Sequence, residues 1–388
     1  MKAFSYCQPT EIIFGRGRVM EIGQAAAKFG KNCLLVTVPE FEAVAPLYKR
    51  VKESLKEAGL NVAHFDGVIP NPTTDVVTAG ANMAKAAKAD VIIGLGGGSS
   101  MDTAKAIAVE ASHDGTAWDY LFFKKEPTKK TLPIIAVTTT SGTGSQTTPC
   151  AVMTKTDEQD KSAIWHPNIF AKVAIVDPEL MLTLPPAITA MTGFDAFCHN
   201  FEAYIANGTN PYVEVLALEG IKLLARYLPE AVKDGRYLEA RDALAWADTL
   251  GGLSIASAGV TLPHGLGMQI SGHCPQVAHG QSLAVTYPEF TRYTYKFAEE
   301  KFAAVGRIFN PALKDASDAD AALKCCEEID GLLKEIGLWI SFESLGVTRE
   351  DIRKIAHDGQ VLPDYKNNPR LATIEEMNEL LEKCYIRA

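Results

Sequence analysis

Apolar and polar residues form two kinds of pattern along the first half of the chain. Short runs rich in Val, Ile and Leu, bounded by Gly, Pro and polar residues, are typical of buried strands. The predicted strands cover 32–38, 61–68, 90–96 and 133–140. Apolar residues at helical spacing predict intervening helices over 46–59, 74–89 and 100–112. Because strands that alternate with helices favour a parallel sheet, we expect an open, doubly wound, Rossmann-like α/β domain.

The pattern changes after about Leu184, where Pro185 and Pro186 interrupt the chain. Apolar residues at helical spacing then predict long helices, and β-branched runs become rare. These helices are predicted over 185–206, 212–234 and 238–259. We therefore predict two domains, an α/β domain over 1–184 and an all-helical domain over 185–388.

Composition narrows the class of protein. The 388 residues carry a formal net charge of −9 and contain no basic run, which argues against nucleic acid and anionic membranes as partners. No apolar run approaches the length of a membrane span, and polar residues interrupt the N-terminal segment where a signal peptide would be apolar. The eight cysteines form no CxxC pair, which indicates reduced thiols. We expect a cytoplasmic protein.

Four residues in the second half have the types and spacing of a transition-metal site. Asp195 and His199 are four apart in a predicted helix, so they project from one face. His264 and His279 are each followed by Gly. Because glycine has no side chain, backbone and substrate can approach a bound ion closely there. One oxygen and three nitrogens suit Zn(II) or Fe(II) and do not suit Ca(II) or Mg(II). Any one of these histidines alone would also fit an ordinary hydrogen-bonded role, and the set alone leaves hydrolysis, hydration and redox chemistry open.

A glycine-rich turn, GLGGGSSMDTAK at 94–105, joins a predicted strand to a helix. Backbone N–H groups at the start of a helix form an anion site, and only glycine lets a pyrophosphate come so close. The turn therefore favours a dinucleotide. The spacing does not satisfy GxGxxG, and such turns also occur as plain connections. Asp102, in the first helical turn, would be well placed there by the helix dipole alone.

A second turn, TTTSGTGSQTTP at 138–149, follows the strand that ends near Thr138. Small hydroxyl donors at the carboxyl end of a strand suit a ligand in the crevice where open α/β sheets bind cofactors. A solvated loop would explain the polarity of this segment but not its position. Two such turns in one domain strengthen the dinucleotide interpretation.

Together these motifs resemble those of the iron-containing (group III) alcohol dehydrogenases nearly from end to end. The family pattern GGGSxxDxAK is matched by Gly96 to Lys105, and TTxGTGS by Thr139 to Ser145. Further similar segments are FGRG (14–17), PNPT (70–73), TAMTGFDAFCHNFEAY (189–204) and NNPRLAT (367–373). The resemblance implies a dehydroquinate synthase-like fold, with a nucleotide-binding α/β domain followed by an all-helical domain.

The resemblance also implies roles for particular residues. Gly97, Gly98 and Ser99 would hold the pyrophosphate, with Asp102 nearby. The remaining groove of the cofactor would be lined by Asn71, Thr139, Thr140, Thr143 and Lys161. Fe(II), or Zn(II) as a substitute, would be held by Asp195, His199, His264 and His279. Similar proteins are commonly homo-oligomers, dimers or larger.

The chain departs from the family at the expected position of a further histidine near the reactive carbon. Members similar to this one often have that histidine four residues after the third ligand, where this chain has Met268. His273 lies five residues further on and is the candidate for a proton relay, or else a surface loop residue. Because position 268 is a methionine, the resemblance assigns no proton relay to that position.

A further departure concerns the adenosine ribose. Many members that prefer NAD end the first strand with an Asp, which binds the ribose 2′-OH, whereas this chain has Val38. Glu40 is the nearest acid, and no Arg or Lys follows the strand directly to bind a 2′-phosphate. We expect a weak preference for NAD(H) over NADP(H).

The predicted function is reversible, metal-dependent hydride transfer between a primary alcohol or its aldehyde and NAD(P)(H). One alternative is another enzyme on the same scaffold, such as a polyol or polyol-phosphate dehydrogenase or a dehydroquinate-synthase-like lyase. Anionic substrates would require Arg or Lys beside the metal, and 189–204 and 261–283 contain neither. The other alternative, a non-catalytic scaffold, is disfavoured by the intact set of four ligands.

Overall fold

The computed structural model describes residues 3–121, 124–158 and 160–387. Two compact units make up the chain. The first is Cys7–Thr183, and the second is Leu184–Ala388 together with Met1–Tyr6.

The first unit is an α/β domain. Its strands are β1 (Glu11–Phe14), β2 (Asn32–Val36), β3 (Asn61–Phe65), β4 (Val91–Gly96), β5 (Ile134–Thr138), β6 (Cys150–Lys155), β7 (Asp160–Trp165) and β8 (Val173–Val176). Its α-helices are α1 (Ile22–Ala27), α2 (Ala45–Glu57), α3 (Thr74–Ala86) and α4 (Gly98–Ser112). The strands and helices predicted in the first half are confirmed, with ends that differ by a few residues.

A parallel sheet of six strands, in the order β1-β8-β5-β4-β2-β3, is formed by the described residues. Both faces of this sheet are buried. Leu34 and Val36 of β2 pack into one apolar cluster, while Cys33 and Leu35 of the same strand pack into another. This alternation follows from the two-residue period of a strand, and it explains why the strands read as continuous apolar runs.

The order of the strands reverses between β2 and β4. The chain runs from β2 outward to β3 and then crosses to β4 and β5 on the other side. In open α/β sheets, ligands bind outside the carboxyl ends of the strands at such a switch point. The glycine-rich turn follows β4 and the hydroxyl-rich turn follows β5, so both lie at the edge where a ligand is expected.

Four strands of this unit were not predicted from the sequence. β1 and β8 extend the sheet beyond β5, and β6 and β7 form a separate antiparallel pair. β1 and β8 contain four residues each, too short to show a clear period, although the apolar run of β8 is fully buried.

The second unit is helical. Its α-helices are α5 (Pro186–Ile205), α6 (Pro211–Lys233), α7 (Leu238–Ala258), α8 (Leu262–His273), α9 (His279–Thr294), α10 (Glu299–Phe309), α11 (Asp318–Glu335), α12 (Arg349–Asp358), α13 (Asp364–Asn367) and α14 (Ile374–Lys383). The three long helices predicted from periodicity are confirmed as α5, α6 and α7. Within the described residues, none of the helices has the length and apolarity needed to cross a membrane.

α5 is the central helix of this core. Phe194, Phe197 and Phe201 form a row along one side of it, with ring centroids 5.7 and 5.6 Å apart. Tyr287 of α9 packs edge-on against Phe194 at 5.2 Å. The other side of α5 carries polar residues, so the aromatic row fixes the rotation of the helix about its axis.

Gly280 allows α9 to begin directly against the backbone of α5. A Cβ atom at position 280 would lie 2.4 Å from the carbonyl oxygen of Met191 and 2.8 Å from its carbonyl carbon. The sequence suggested that this glycine admits a ligand, but in the structure it admits a neighbouring helix. The contact matters for function because His279 is the first residue of α9.

We expect Gly280→Ala to destabilise the protein. The added methyl group meets backbone atoms that cannot rotate away, so α9 must shift, at a cost of about 1–3 kcal/mol in the free energy of unfolding. Urea unfolding of the metal-free protein, followed by circular dichroism, measures this change.

Gly331→Ala is the matched control. Gly331 lies inside α11, and nothing comes within 4 Å of a Cβ atom there. Alanine at this site should stabilise the protein by about 0.5–1 kcal/mol, because glycine is a poor helix former. Equal effects of the two substitutions would contradict the close approach at Gly280.

Candidate functional site

α5 presents three polar side chains on one face. Asp195, His199 and Glu202 are spaced by four and three residues, which places them within about one quarter of the helix circumference. All three are buried. Such a concentration of ionisable groups in an apolar core requires compensation from other elements or from a bound ion.

His264 and His279 complete a cluster around Asp195. His264 lies in the first turn of α8, and His279 begins α9. The Nε2 atoms of His199, His264 and His279 lie 3.7, 3.4 and 3.8 Å from the same atom, Asp195 Oδ1. The structure therefore brings together all four residues predicted as metal ligands. Ligand atoms of Asp195, His199 and His264 lie within 4.8 Å of one another, and His279 joins them through its approach to Asp195.

These distances fit a metal ion better than hydrogen bonds. A hydrogen bond between nitrogen and oxygen is shorter than about 3.2 Å. Ligand bonds of about 2.0–2.2 Å in a tetrahedral centre instead place neighbouring ligand atoms about 3.3–3.6 Å apart. Asp195 Oδ1 and His264 Nε2 are buried and make no hydrogen bond with any described residue. The donor set thus fits a borderline divalent ion such as Fe(II) or Zn(II).

The electrostatics of the cluster favour a positive charge near the carboxylates of Asp195 and Glu202. Burial raises the pKa of Asp195, but His199, His264 and His279 outweigh it and hold this pKa at about 2. Burial lowers the pKa of His264, but Glu202 and Asp195 outweigh it and raise this pKa to about 10. A proton on His264 or a divalent ion would each supply the missing charge.

Glu202 was missed by the sequence analysis. It is fully buried, and its Oε1 lies 2.8 Å from His264 Nδ1. Its Oε2 accepts hydrogen bonds from the backbone N–H and the hydroxyl of Thr261, at 2.8 and 3.0 Å. The available signal was its position seven residues after Asp195, on the helix face that already carries two predicted ligands.

The glycine-rich and hydroxyl-rich turns of the first unit pack against each other. A Cβ atom at Gly97 would lie 3.2 Å from the side chain of Thr140, and one at Gly98 only 2.6 Å from Thr143 Cγ2. Gly98 begins α4, so its N–H group belongs to the free donors at that helix start. The missing side chains therefore let the two turns pack closely, and the contact is tightest at Gly98.

Both turns remain partly open at the carboxyl edge of the sheet. The partly exposed residues are Gly97, Ser99, Thr139, Thr140 and Thr143, all predicted to bind the cofactor. Thr139 is held by a backbone hydrogen bond to the carbonyl of Gly96 at 3.0 Å. The arrangement offers hydroxyl and backbone donors together, as a phosphate ligand requires.

Asp102 connects the two turns internally. Its Oδ1 accepts a hydrogen bond from the Ser145 hydroxyl at 2.6 Å, and its Oδ2 accepts one from the backbone N–H of Val152 at 3.1 Å. Lys105, fully buried, donates to the carbonyls of Ser145, Thr148 and Cys150 at 2.7 to 3.0 Å. Asp102 and Lys105 thus hold the hydroxyl-rich turn against α4.

Asn71 and Lys161 are paired directly. Lys161 Nζ donates to Asn71 Oδ1 at 2.8 Å, and Asn71 has a positive φ of 51°. Both were predicted to line the cofactor groove, and the structure brings them together.

The end of β2 differs from the expectation in one respect. The carbonyl of Val38 accepts hydrogen bonds from Thr37 Oγ1 and Tyr48 Oη at 2.8 and 3.2 Å. Lys52 of α2 lies 3.8 Å from Glu40, so a lysine does approach this strand end from the next helix. This approach was not predicted from the sequence, because Lys52 does not follow the strand directly.

His273 is not brought into the cluster. It ends α8, nine residues after His264, a rise of about 13 Å along the helix axis. Its Nε2 lies 2.8 Å from Asp358 Oδ2 of α12. Met268, one helical turn after His264, is partly buried and offers no acid or base.

Comparison with known proteins identifies the family. The family model described as iron-containing alcohol dehydrogenase matches residues 9–178, and the model for the C-terminal region of the same family matches residues 189–385. The NAD-dependent methanol dehydrogenase of Bacillus methanolicus is 33% identical over 376 residues, which are 97% of this chain and 98% of that protein. The choline dehydrogenase of Bacillus subtilis is 35% identical over 97% of this chain and 94% of its own length.

A solved structure agrees with these relatives. The NADH-dependent butanol dehydrogenase A of Thermotoga maritima superposes with a TM-score of 0.90 at 28% identity, over 100% of this chain and 99% of that chain. The predicted fold class is thereby confirmed. From its two matched regions and its end-to-end relatives, this chain belongs to the iron-containing alcohol dehydrogenase family and is an oxidoreductase that acts on alcohols or their aldehydes with a nicotinamide cofactor.

Proposed function

We propose that this enzyme uses a single Fe(II) ion, with Zn(II) as a possible substitute, held by Asp195, His199, His264 and His279. The observation that carries the proposal is the convergence of three imidazole Nε2 atoms on one buried carboxylate oxygen at 3.4 to 3.8 Å. When bound, the ion would supply a Lewis acid that polarises the substrate oxygen.

The first unit would bind the dinucleotide. Backbone N–H groups at Gly98 and Ser99 are suited to the pyrophosphate, and the hydroxyls of Thr139, Thr140 and Thr143 are suited to other polar parts of the cofactor. Asp102 and Lys105 would act indirectly by holding these turns in place. In the oxidation direction the alcohol carbon gives a hydride to the nicotinamide, and the hydroxyl proton is released.

We propose that this proton leaves through water and not through His273. His273 is engaged with Asp358, and Met268 cannot exchange a proton. General acid–base catalysis needs a group within hydrogen-bond reach of the reacting oxygen, directly or through one water.

We propose NAD(H) as the preferred cofactor and short primary alcohols as substrates. Glu40 would disfavour the 2′-phosphate of NADP by repulsion, although its ion pair with Lys52 weakens this effect. The small side chains of 251–263 leave room for uncharged groups. A cytoplasmic location and a homo-oligomer remain predictions.

A second substrate class is an alcohol that carries a cationic group. Asp364, which begins α13, lies beside Gly265, with its Cβ 3.4 Å from a Cβ atom placed there. This position is next to the proposed ligand His264, and a carboxylate there could pair with an ammonium. The related choline dehydrogenase of Bacillus subtilis is named for such a substrate.

We expect divalent metal to be required for turnover. Chelation should abolish activity, and anaerobic Fe(II) loading should restore it in assays with NADH and NADPH over aldehydes of increasing length and with choline in the oxidation direction. His199→Ala should lower kcat/KM by at least about 100-fold, because a metal ligand is lost. His357→Ala, at an exposed histidine, is the control. Turnover by neither cofactor in a metal-loaded sample would refute the proposal.

Gly98→Ala should weaken cofactor binding selectively. The new methyl group would collide with Thr143 and push the two turns apart. We expect the KM for NAD to rise at least about tenfold, which corresponds to about 1.4 kcal/mol, while metal affinity stays unchanged. Steady-state kinetics and metal titration measure the two effects, with Gly331→Ala as the control. An unchanged KM would exclude Gly98 from the cofactor site.

His273→Ala should leave catalysis nearly intact. Loss of a proton relay costs about 100-fold or more, whereas we expect a change in kcat of less than about threefold and the same pH profile. Stopped-flow and steady-state rates between pH 6 and pH 10 test this. A large loss in kcat would restore His273 as the relay.

A further inference from the structure

We infer that Glu202 is a positioning residue that fixes the orientation and tautomer of His264 and thereby sets the metal affinity of the site. The inference rests on the proposed metal site and adds to it a residue that does not contact the ion. It is carried by hydrogen bonds on both oxygens of one fully buried carboxylate.

The carboxylate of Glu202 is saturated with donors. His264 Nδ1 lies 2.8 Å from Oε1, and the hydroxyl of Tyr287 donates to the same oxygen at 3.3 Å. The N–H and hydroxyl of Thr261 both donate to Oε2. With partners on both oxygens, the side chain of Glu202 cannot rotate without breaking several bonds at once.

This arrangement determines which nitrogen of His264 carries hydrogen. An ionised carboxylate only accepts hydrogen bonds, so when His264 releases one proton to bind the ion, the hydrogen that stays on the ring lies on Nδ1. The lone pair is then on Nε2, which lies 3.4 Å from Asp195 Oδ1, where the ion is proposed to bind. Histidine ligands are commonly oriented in this way by a carboxylate on their other nitrogen.

Glu202 also fixes the backbone that carries His264. Thr261 is the N-cap residue of α8, and its side chain makes no capping hydrogen bond within that helix. It donates to Glu202 of α5 instead. The first turn of α8, including His264, is therefore fastened to the helix that provides Asp195 and His199.

The charges of the site also support a role for Glu202 in metal binding. In the metal-bound state the three imidazoles would be neutral ligands, and the ionised carboxylates of Asp195 and Glu202, both buried, would contribute two negative charges. A divalent cation brings the sum to zero, which lowers the cost of burying both carboxylates. Removing the charge of Glu202 should therefore weaken metal binding through both the ring tautomer and the electrostatics.

Glu202→Gln tests this with almost no change in shape. The amide must present NH₂ either to the donors of Thr261 or to His264 Nδ1, and the second arrangement moves the ring proton to Nε2. We expect the dissociation constant for Zn²⁺ to rise about 10- to 100-fold in chelator competition. The upward shift of Tm on adding Zn²⁺ should shrink accordingly, since ligand stabilisation depends on concentration over Kd.

Tyr287→Phe is the matched control, because it removes one hydrogen bond to the same carboxylate and leaves the bond to His264. Its Zn²⁺ affinity should stay within about threefold of the parent, well below the loss expected for a carboxylate that orients a ligand. If Glu202→Gln lowers Tm equally with and without Zn²⁺ and keeps the parental Kd, Glu202 is merely structural and the inference is overturned. If the parent protein itself binds no Zn²⁺, the proposed metal site fails instead.

Glu202→Asp replaces the glutamine variant if that protein does not fold. It keeps the charge but shortens the side chain by one methylene, so the carboxylate cannot reach Thr261 and His264 together. We expect its Kd for Zn²⁺ to lie between those expected for the parent and for the glutamine variant. A parental Kd in this variant would overturn the inference.

Discussion

The burial of two carboxylates in the helical unit is the constraint on which the rest of the site depends. Asp195 and Glu202 lie on one face of α5 and are buried in a unit whose core consists largely of aromatic and aliphatic side chains. Such groups are tolerated only where donors or cations surround them. Thr261 and Tyr287 meet part of this need at Glu202, and the imidazoles gather at Asp195. His264 in the first turn of α8 and His279 at the start of α9 both lie beside these carboxylates.

Glycine residues allow segments to pack closely in both units, and the result differs between the two. In the helical unit, Gly280 lets α9 start against α5 and so brings its first histidine to the carboxylate. In the α/β unit, Gly97 and Gly98 let the turn after β4 interlock with the turn after β5. The same residue type therefore brings the proposed metal ligands together in one unit and packs the two turns of the proposed cofactor site in the other.

The sequence predicted most of the fold, and it predicted four side chains that the structure brings together, for physical reasons that can be named. Asp195 and His199 were found because a helix repeats every 3.6 residues, and the long apolar strands because both faces of the sheet are covered. Glu202 was missed because its position on the same helix face as Asp195 and His199 does not by itself show whether the acid is buried or solvated. Lys52 was missed because it approaches Glu40 through the fold, twelve residues away in sequence. His273 was considered for catalysis from spacing alone, and spacing does not show that Asp358 holds its ring.

The buried amine of Lys105 has a consequence for chemical labelling. Its side chain is fully enclosed, and its Nζ donates hydrogen bonds to the carbonyls of Ser145, Thr148 and Cys150 and to the hydroxyl of Ser145. Acylating reagents need an accessible, neutral amine, and this one is neither accessible nor free of hydrogen bonds. Acylation at Lys105 would therefore mark only molecules in which the hydroxyl-rich turn has opened away from α4, which makes this lysine a built-in reporter of local unfolding.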